Sequence, residues 1–311
     1  MAYDTPIPTG QGKAIPLMEP AALARIGKLE LVARQIMDGY VQGMHRSPHI
    51  GFAVDFAQHR QYVPGDDIKR IDWRVYGKAN RYYIKQYEVT TNLRAYILVD
   101  CSGSMAYQGQ NEPLSKFRYS QYLAVALSYL VLHQQDSVGL LTLEQSIRTF
   151  LPPRSAPSHF VNIARSLDAC QTGREASLAP VLHEVAERIK RRSMVILISD
   201  LFDDAEKLIE AFHHFRHRRH EVILLQVMAD DEMTFPFSRW TRFDSLERQT
   251  DTLRLDPALM RQRYLENVSR HIARLRQAAD SLRLSYAVLN TSQSFDQALT
   301  LYLANRMSER R

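Results

Sequence analysis

From Arg94 onward, short apolar runs alternate with longer stretches whose apolar residues recur every three or four positions. The runs read as strands: Arg94 to Val99, Ser137 to Leu143, Ile147 to Leu151, Met194 to Ile198, Glu221 to Met228 and Leu284 to Leu289. The periodic stretches read as helices: Lys116 to His133, Ser158 to Leu167, Leu178 to Arg191, Ala205 to Arg216 and Phe295 to Leu303. Asp256-Pro257 supplies an N-cap and a proline at the first helical position, and the apolar stripe after it marks one long helix reaching Leu282. Helical crossovers between strands make most neighbours parallel, and such a sheet has to be covered on both faces. The expected class is therefore α/β: a doubly wound, mostly parallel, Rossmann-like sheet over residues 93–311. A hairpin insertion is expected near 235–255, where two polar-alternating pieces flank Gln249-Thr250-Asp251.

The chain before Arg94 is different. Pro6, Pro8, Pro16 and Pro20 with Gly10 and Gly12 leave residues 1–20 without an apolar period, and they read as a mobile tail. Leu23, Ile26, Leu29, Val32, Ile36 and Tyr40 then mark an amphipathic helix ending near Gly39 or Gly43. Strand-like pieces follow at Gly51 to Phe56, Gln61 to Val63 and Tyr82 to Tyr87. Pro64-Gly65 fits the centre of a type II turn, and Asp66 or Asp67 can cap a short helix carrying Ile68, Ile71 and Trp73. Residues 21–92 are read as this helix and a small α+β module.

Composition removes several classes. With 45% hydrophobic and 24% charged residues the chain is ordinary globular material, neither collagenous nor disordered. No apolar run approaches the ~20 residues of a spanning helix, and no basic-then-apolar segment opens the chain, so no transmembrane segment is expected. Cys101 and Cys170 are the only cysteines and form no CxxC pair, which excludes a zinc ribbon, a thioredoxin motif and a disulfide scaffold and makes a reducing cytoplasm the natural setting. The net charge of +6 is spread along the chain and indicates no specific nucleic acid.

In an open parallel sheet, ligands bind beyond the carboxyl ends of the strands. Directly after Ala95 to Val99 comes Asp100-Cys101-Ser102-Gly103-Ser104-Met105, a carboxylate and two hydroxyls on one tight loop, with Gly103 letting the backbone turn between the serines. Met194 to Ile198 ends in Ser199-Asp200, which brings a second carboxylate to the same edge if the two strands are neighbours. Hard oxygen donors of this kind suit Mg2+, with Mn2+ or Ca2+ as alternatives, better than zinc.

These residues carry a resemblance. DxSxS after the first strand, with an aspartate after a central strand, resembles the metal-ion-dependent adhesion site (MIDAS) of von Willebrand factor A domains. Arg60 to Asp67, Arg70 to Tyr76, Lys85, Asp100 to Met105, Asp136 to Leu140 and Ile198 to Asp200 closely resemble the bacterial family called domain of unknown function fifty-eight. The resemblance covers the chain from about Gly51 onward and implies a von Willebrand A-like fold with a family-specific N-terminal module. It also implies a non-enzymatic adaptor beside a MoxR-type AAA+ ATPase, acting on an unknown client in the maturation or assembly of other complexes. By analogy Ser102 and Ser104 would bind the metal directly, Asp100 and Asp200 directly or through water, and a partner carboxylate would fill the remaining position. Such sites normally add a threonine from a second loop, where this chain has Ala176 or Ser177; Ser177 could substitute, and Thr172 less easily.

Other signals have plainer readings beside the functional one. Asp66, Asp67 and Asp72 with Arg60, Arg70 and Arg74 surround Tyr62 and Trp73, either as a partner-binding surface or as a capped turn and ion-pair network; the nearby aromatics favour the second slightly, since exposed pairs contribute at most ~1 kcal/mol. His213 and His217 have a two-ligand spacing but no third ligand, and read as the basic end of a helix. Asp203 with Glu206 reads as a capping box, although Asp203 could also touch a metal shell. Cys101 sits beside a carboxylate that disfavours its thiolate, so it is not read as a nucleophile. A magnesium-dependent phosphatase-like hydrolase would want a second acid two residues after Asp100, where Ser102 stands. A nucleic-acid binder would rest on scattered arginines alone, and the chain lacks GxxxxGK[ST], GxGxxG and GxSxG.

Overall fold

The computed structural model describes residues 28–45, 59–61, 83–85, 93–173, 177–237, 241–244, 252–255 and 257–309. The chain divides into two compact units, one of residues 44–92 and one of the remainder, so the N-terminal helix counts with the larger unit as far as Gly43. In the smaller, β1 (His59–Gln61) pairs antiparallel with β2 (Tyr83–Lys85). Residues 1–20, read above as a tail, and the candidate partner-binding residues Tyr62, Asp66, Asp67, Asp72, Trp73 and Arg74 lie outside the described residues.

The larger unit begins with α1 (Leu29–His45), which buries Leu29, Val32, Ala33, Ile36 and Met37 along one stripe. Its sheet is built from β3 (Arg94–Asp100), β4 (Ser137–Leu143), β5 (Ile147–Arg154), β6 (Met194–Ser199), β7 (Glu221–Met228) and β10 (Ser285–Asn290). Their order is β10-β7-β6-β3-β4-β5, with every pairing parallel except β4 with β5. The helices are α2 (Lys116–His133), α3 (Pro157–Asp168), α4 (Leu178–Arg188), α5 (Ala205–His217), the short α6 (Asp230–Thr234), α7 (Pro257–Leu282) and α8 (Asp296–Glu309). Leu98, Val195, Leu197 and Leu224 join α4, α5 and α7 in one buried cluster, including Val181, Val185, Phe212 and Leu275. Tyr119 of α2 stacks on Phe295, which precedes α8, at 4.4 Å between ring centres. The mostly parallel, doubly wound α/β expectation holds, and β8 (Thr241–Asp244) and β9 (Thr252–Leu255) pair as an antiparallel hairpin.

Differences from the sequence reading fall at element ends. β5 runs past Leu151 through Pro152 and Pro153, which an edge strand tolerates where its register against β4 breaks, passing from Leu140–Leu151 to Val138–Arg154 and leaving both prolines out of the paired positions. Opposite them stands Gly139, where a side chain would begin 2.7 Å from the Leu151 carbonyl oxygen, so only a glycine lets β4 and β5 approach this closely. The α4 helix ends at Arg188 instead of Arg191, with Ile189 already extended and buried.

Candidate functional site

The first strand of the sheet, β3, sends the chain to β4 on one side, and β6 later pairs on its other side. Diverging connections of this kind open a crevice at the carboxyl ends of β3 and β6. Val99 is in register with Ile198, so Asp100 and Asp200 meet at that crevice, as the two strand ends led us to expect. Asp100 and Asp200 are buried, at 4% and 2% exposure, which is unusual for carboxylates without compensating charge.

Each oxygen of Asp100 is engaged. Oδ1 accepts the Ser102 amide at 2.8 Å and Oδ2 accepts the Ser199 hydroxyl at 2.5 Å. Ser102 is buried, Gly103 opens a short 3-10 turn ending at Ala106, and the hydroxyls of Ser102 and Ser104 lie 3.2 Å apart. Burial, and then the negative charge of Asp200, push the Asp100 carboxyl up to about 6, against the pull of the Ser199 and Ser102 hydrogen bonds. The loop therefore stores a carboxylate that is costly to keep ionised.

A cation already stands on the other side. Lys116, at the N-terminus of α2, is buried and donates to Asp200 Oδ2 at 2.8 Å and to Glu232 Oε1 at 2.7 Å. Burial alone would lower its pKa, but the charges of Asp200 and Glu232 outweigh it and raise the value, so Lys116 remains an ammonium. Burial raises the Glu232 carboxyl despite Lys116, and its second oxygen accepts the Ala229 amide at 2.9 Å. Asp200 Oδ1 accepts the Phe202 amide at 3.2 Å, and its backbone carbonyl accepts Gln226 at 2.8 Å. Beside the ammonium lies the Phe202 ring, 5.0 Å from Nζ and 41% exposed, an apolar rim on a charged site. Leu201, between Asp200 and Phe202, has a left-handed φ of 55°, a conformation disfavoured for a branched side chain and held by its burial.

The loop between Ser104 and α2 is tied across the same edge. Tyr107 and the Gln110 amide donate to Asp231 Oδ2 at 3.2 and 2.8 Å. Buried Glu112 accepts the Asp230 amide and the Thr291 hydroxyl. None of Lys116, Ser199, Glu112 and Glu232 stood out in the sequence. A usable signal existed for Lys116, which falls in line with Ser120, Leu123, Leu127 and Leu130 on a buried helical stripe.

The second-loop candidate Ser177 has another partner, and Ala176 lies outside the described residues. The Ser177 hydroxyl donates at 3.0 Å to Asp203 Oδ2, which also accepts the Leu178 and Ala179 amides at 2.7 and 3.2 Å. Asp203 thus caps α4 from another part of the chain. The capping box read for Asp203 and Glu206 is corrected: α5 begins at Ala205, so Asp204 is the cap, accepting from the Glu206 and Lys207 amides. Glu206 instead makes a two-pronged pair with Arg274 at 2.9 and 3.1 Å. His213 and His217 both lie on α5, and His217 is in its last turn together with His214, whose ring meets His183 at 3.2 Å.

Whether a hard cation fits can be asked of the donor set. Among the described residues no group of three or more His, Cys, Asp and Glu is placed to hold a metal, so hydroxyls would have to contribute. A 3.2 Å separation of the Ser102 and Ser104 oxygens is close to the ~3 Å edge of an octahedron with ~2.1 Å bonds. Lys116 sets one ammonium against two carboxylates, buried Asp200 and part-buried Glu232, and buried Asp100 adds a third, which leaves negative charge in surplus. Asp100, Ser102 and Ser104 fit magnesium on both counts, whereas Asp200, held by Lys116 and Phe202, fits an outer role.

Among the described residues no helix is long and apolar enough to cross a membrane. An uncharacterized protein of Mycobacterium tuberculosis is 24% identical over 226 residues, covering 70% of this chain and 68% of that protein. Among solved structures, BatB of Bacteroides thetaiotaomicron is 16% identical with a TM-score of 0.47, covering 70% of this chain and 99% of its own. The SpRpn10 VWA domain is 11% identical with a TM-score of 0.40, covering 67% and 93%. Residues 58–274 match the family described as "Protein of unknown function DUF58", and with a match spanning both strand-end aspartates the chain belongs to that family.

Proposed function

We propose that the chain is a non-enzymatic, metal-dependent adaptor that binds other proteins through the crevice between β3 and β6. The observation that carries this reading is the surplus of buried negative charge at Asp100 beside the paired hydroxyls of Ser102 and Ser104. Magnesium held there would neutralise the carboxylates and offer an open position to an Asp or Glu of a partner. Lys116 holds Asp200 and Glu232 in place, and exposed Phe202 adds apolar contact at the rim. Both Asp100 oxygens accept hydrogen bonds, which suits an electrostatic anchor better than an attacking nucleophile. The partner proposed is a MoxR-type AAA+ ATPase, with the pair acting on a protein client during assembly of other complexes in the cytoplasm.

Calorimetric titration of magnesium into the wild type and Asp100→Ala tests the metal. Wild type is expected to bind and the variant to lose binding with an unchanged circular dichroism spectrum; equal binding by both would sink the site assignment. Sedimentation with a nucleotide-free MoxR-type ATPase, in magnesium and in EDTA, tests the adaptor. Association that ignores EDTA and Asp100→Ala alike would move the interface away from this crevice.

A further inference from the structure

Cys101 follows Asp100 on the loop after β3, and Cys170 lies just beyond the end of α3. Far apart in sequence, both are buried, and their sulfur atoms lie 3.2 Å apart. The backbone holds them there from both sides. Cys101 donates its amide to the Leu143 carbonyl at 2.8 Å, while its own carbonyl accepts the Gly173 amide at 2.7 Å. The Cys170 amide closes the α3 terminus on Leu167 at 3.1 Å. A disulfide needs sulfurs ~2.05 Å apart, so an approach of little more than ~1 Å separates this pair from a bond.

We infer that Cys101 and Cys170 form a reversible intramolecular disulfide, an oxidation site joining the loop of Asp100, Ser102 and Ser104 to the segment leading into Ser177. The side open to an oxidant is that of Cys170, which is 8% exposed against 0% for Cys101. A cavity of about 580 Å³ is lined by Gln171, Thr172 and Gly173 with Glu144, Gln145 and Arg148, and so borders the Cys170 end of the pair. Arg148 donates to the Gln171 carbonyl at 2.8 Å, placing a cation beside that end. Cys170 is therefore the attacking sulfur and Cys101 the resolving one.

The oxidant is a low-molecular-weight disulfide. Cys170 thiolate attacks one of its sulfurs, breaking that S–S bond, forming a mixed disulfide and releasing one small thiolate. Cys101, giving up its proton, then attacks the Cys170 sulfur and releases the second small thiolate. Two protein thiols are oxidised by two electrons, and one small disulfide is reduced to two thiols. Nothing in this exchange depends on the metal.

The test uses the full chain with oxidised glutathione in native buffer, followed by intact-mass and peptide analysis. The expected product has lost two hydrogens, yields a linked peptide pair containing Cys101 and Cys170, and reverts with dithiothreitol. Its melting temperature is expected to rise by at least about 4 °C, because the bond closes a long loop. Cys101→Ser should accumulate a glutathione adduct on Cys170, and Cys170→Ser should leave Cys101 unreacted. Both thiols remaining free in the wild type, or linkage only between chains or only in urea, would overturn the inference whether or not the serine variants fold.

Discussion

Replacing Lys116 with Met removes one charge and almost no volume from the centre of the crevice. The wild-type ammonium sits 2.8 Å from Asp200 and 2.7 Å from Glu232 with 1% of its side chain exposed. Taking one member from a buried ion pair leaves an uncompensated charge and costs about 3–5 kcal/mol. The two carboxylates do not double that figure, because either can escape by taking up a proton, at about 4 kcal/mol for a carboxyl of ordinary acidity at pH 7. For a unit of this size the loss corresponds to a melting temperature lower by about 6–20 °C. Since the folded variant binds a proton that the unfolded chain has released, its deficit grows with pH by up to about 1.4 kcal/mol per unit. Urea denaturation at pH 5, 6 and 7 in EDTA measures both the size and the slope. A triple variant, Lys116→Met with Asp200→Asn and Glu232→Gln, should recover most of the stability, because no charge is left unpaired. A loss below about 1 kcal/mol without pH dependence would refute the view that Lys116 is the counter-ion of this edge. Magnesium at a hundred times its dissociation constant should restore about 2.7 kcal/mol to the single variant if the crevice accepts a second cation.

The Asp100 carboxyl stands near 6 in the fold, against 3.8 as the ordinary value, and the sign of its effect follows. Between those values the folded chain holds a proton that the unfolded chain has lost, so stability falls as pH rises through the window, by roughly 3 kcal/mol, and then levels. Denaturation in EDTA should show that slope in the wild type and a flatter profile in Asp100→Asn; identical profiles would refute it. Asp203→Ala should destabilise the chain by about 1–2 kcal/mol by uncapping α4, while Asp203→Asn, which keeps an acceptor, loses less. Faster hydrogen exchange at the Leu178 and Ala179 amides in Asp203→Ala, absent from the rest of the sheet, would locate the effect.

Legibility varied with how local the determining interaction is. Lys116–His133, Ser137–Leu143 and Glu221–Met228 have the bounds that their periodicity indicates. Ends were harder: β5 continues through two prolines because its edge position and the break in its register against β4, both properties of the sheet, remove their penalty. The Asp203 assignment missed by one position for a related reason. A cap is defined by where the helix starts, and moving that start to Ala205 hands the role to Asp204 and frees Asp203 for a different helix.

By itself the sequence determined the alternation of strands and helices, and through it a parallel sheet with Asp100 and Asp200 at one carboxyl edge. Those facts follow from backbone hydrogen bonding and side-chain period, which act over a few residues. Tertiary structure decided which charges and sulfurs meet there. Lys116 finds Asp200 and Glu232, and Cys101 finds Cys170, only because strand order and register bring distant segments within hydrogen-bond distance. Burial then makes those meetings consequential, since electrostatic interactions weaken far less inside the protein than in water.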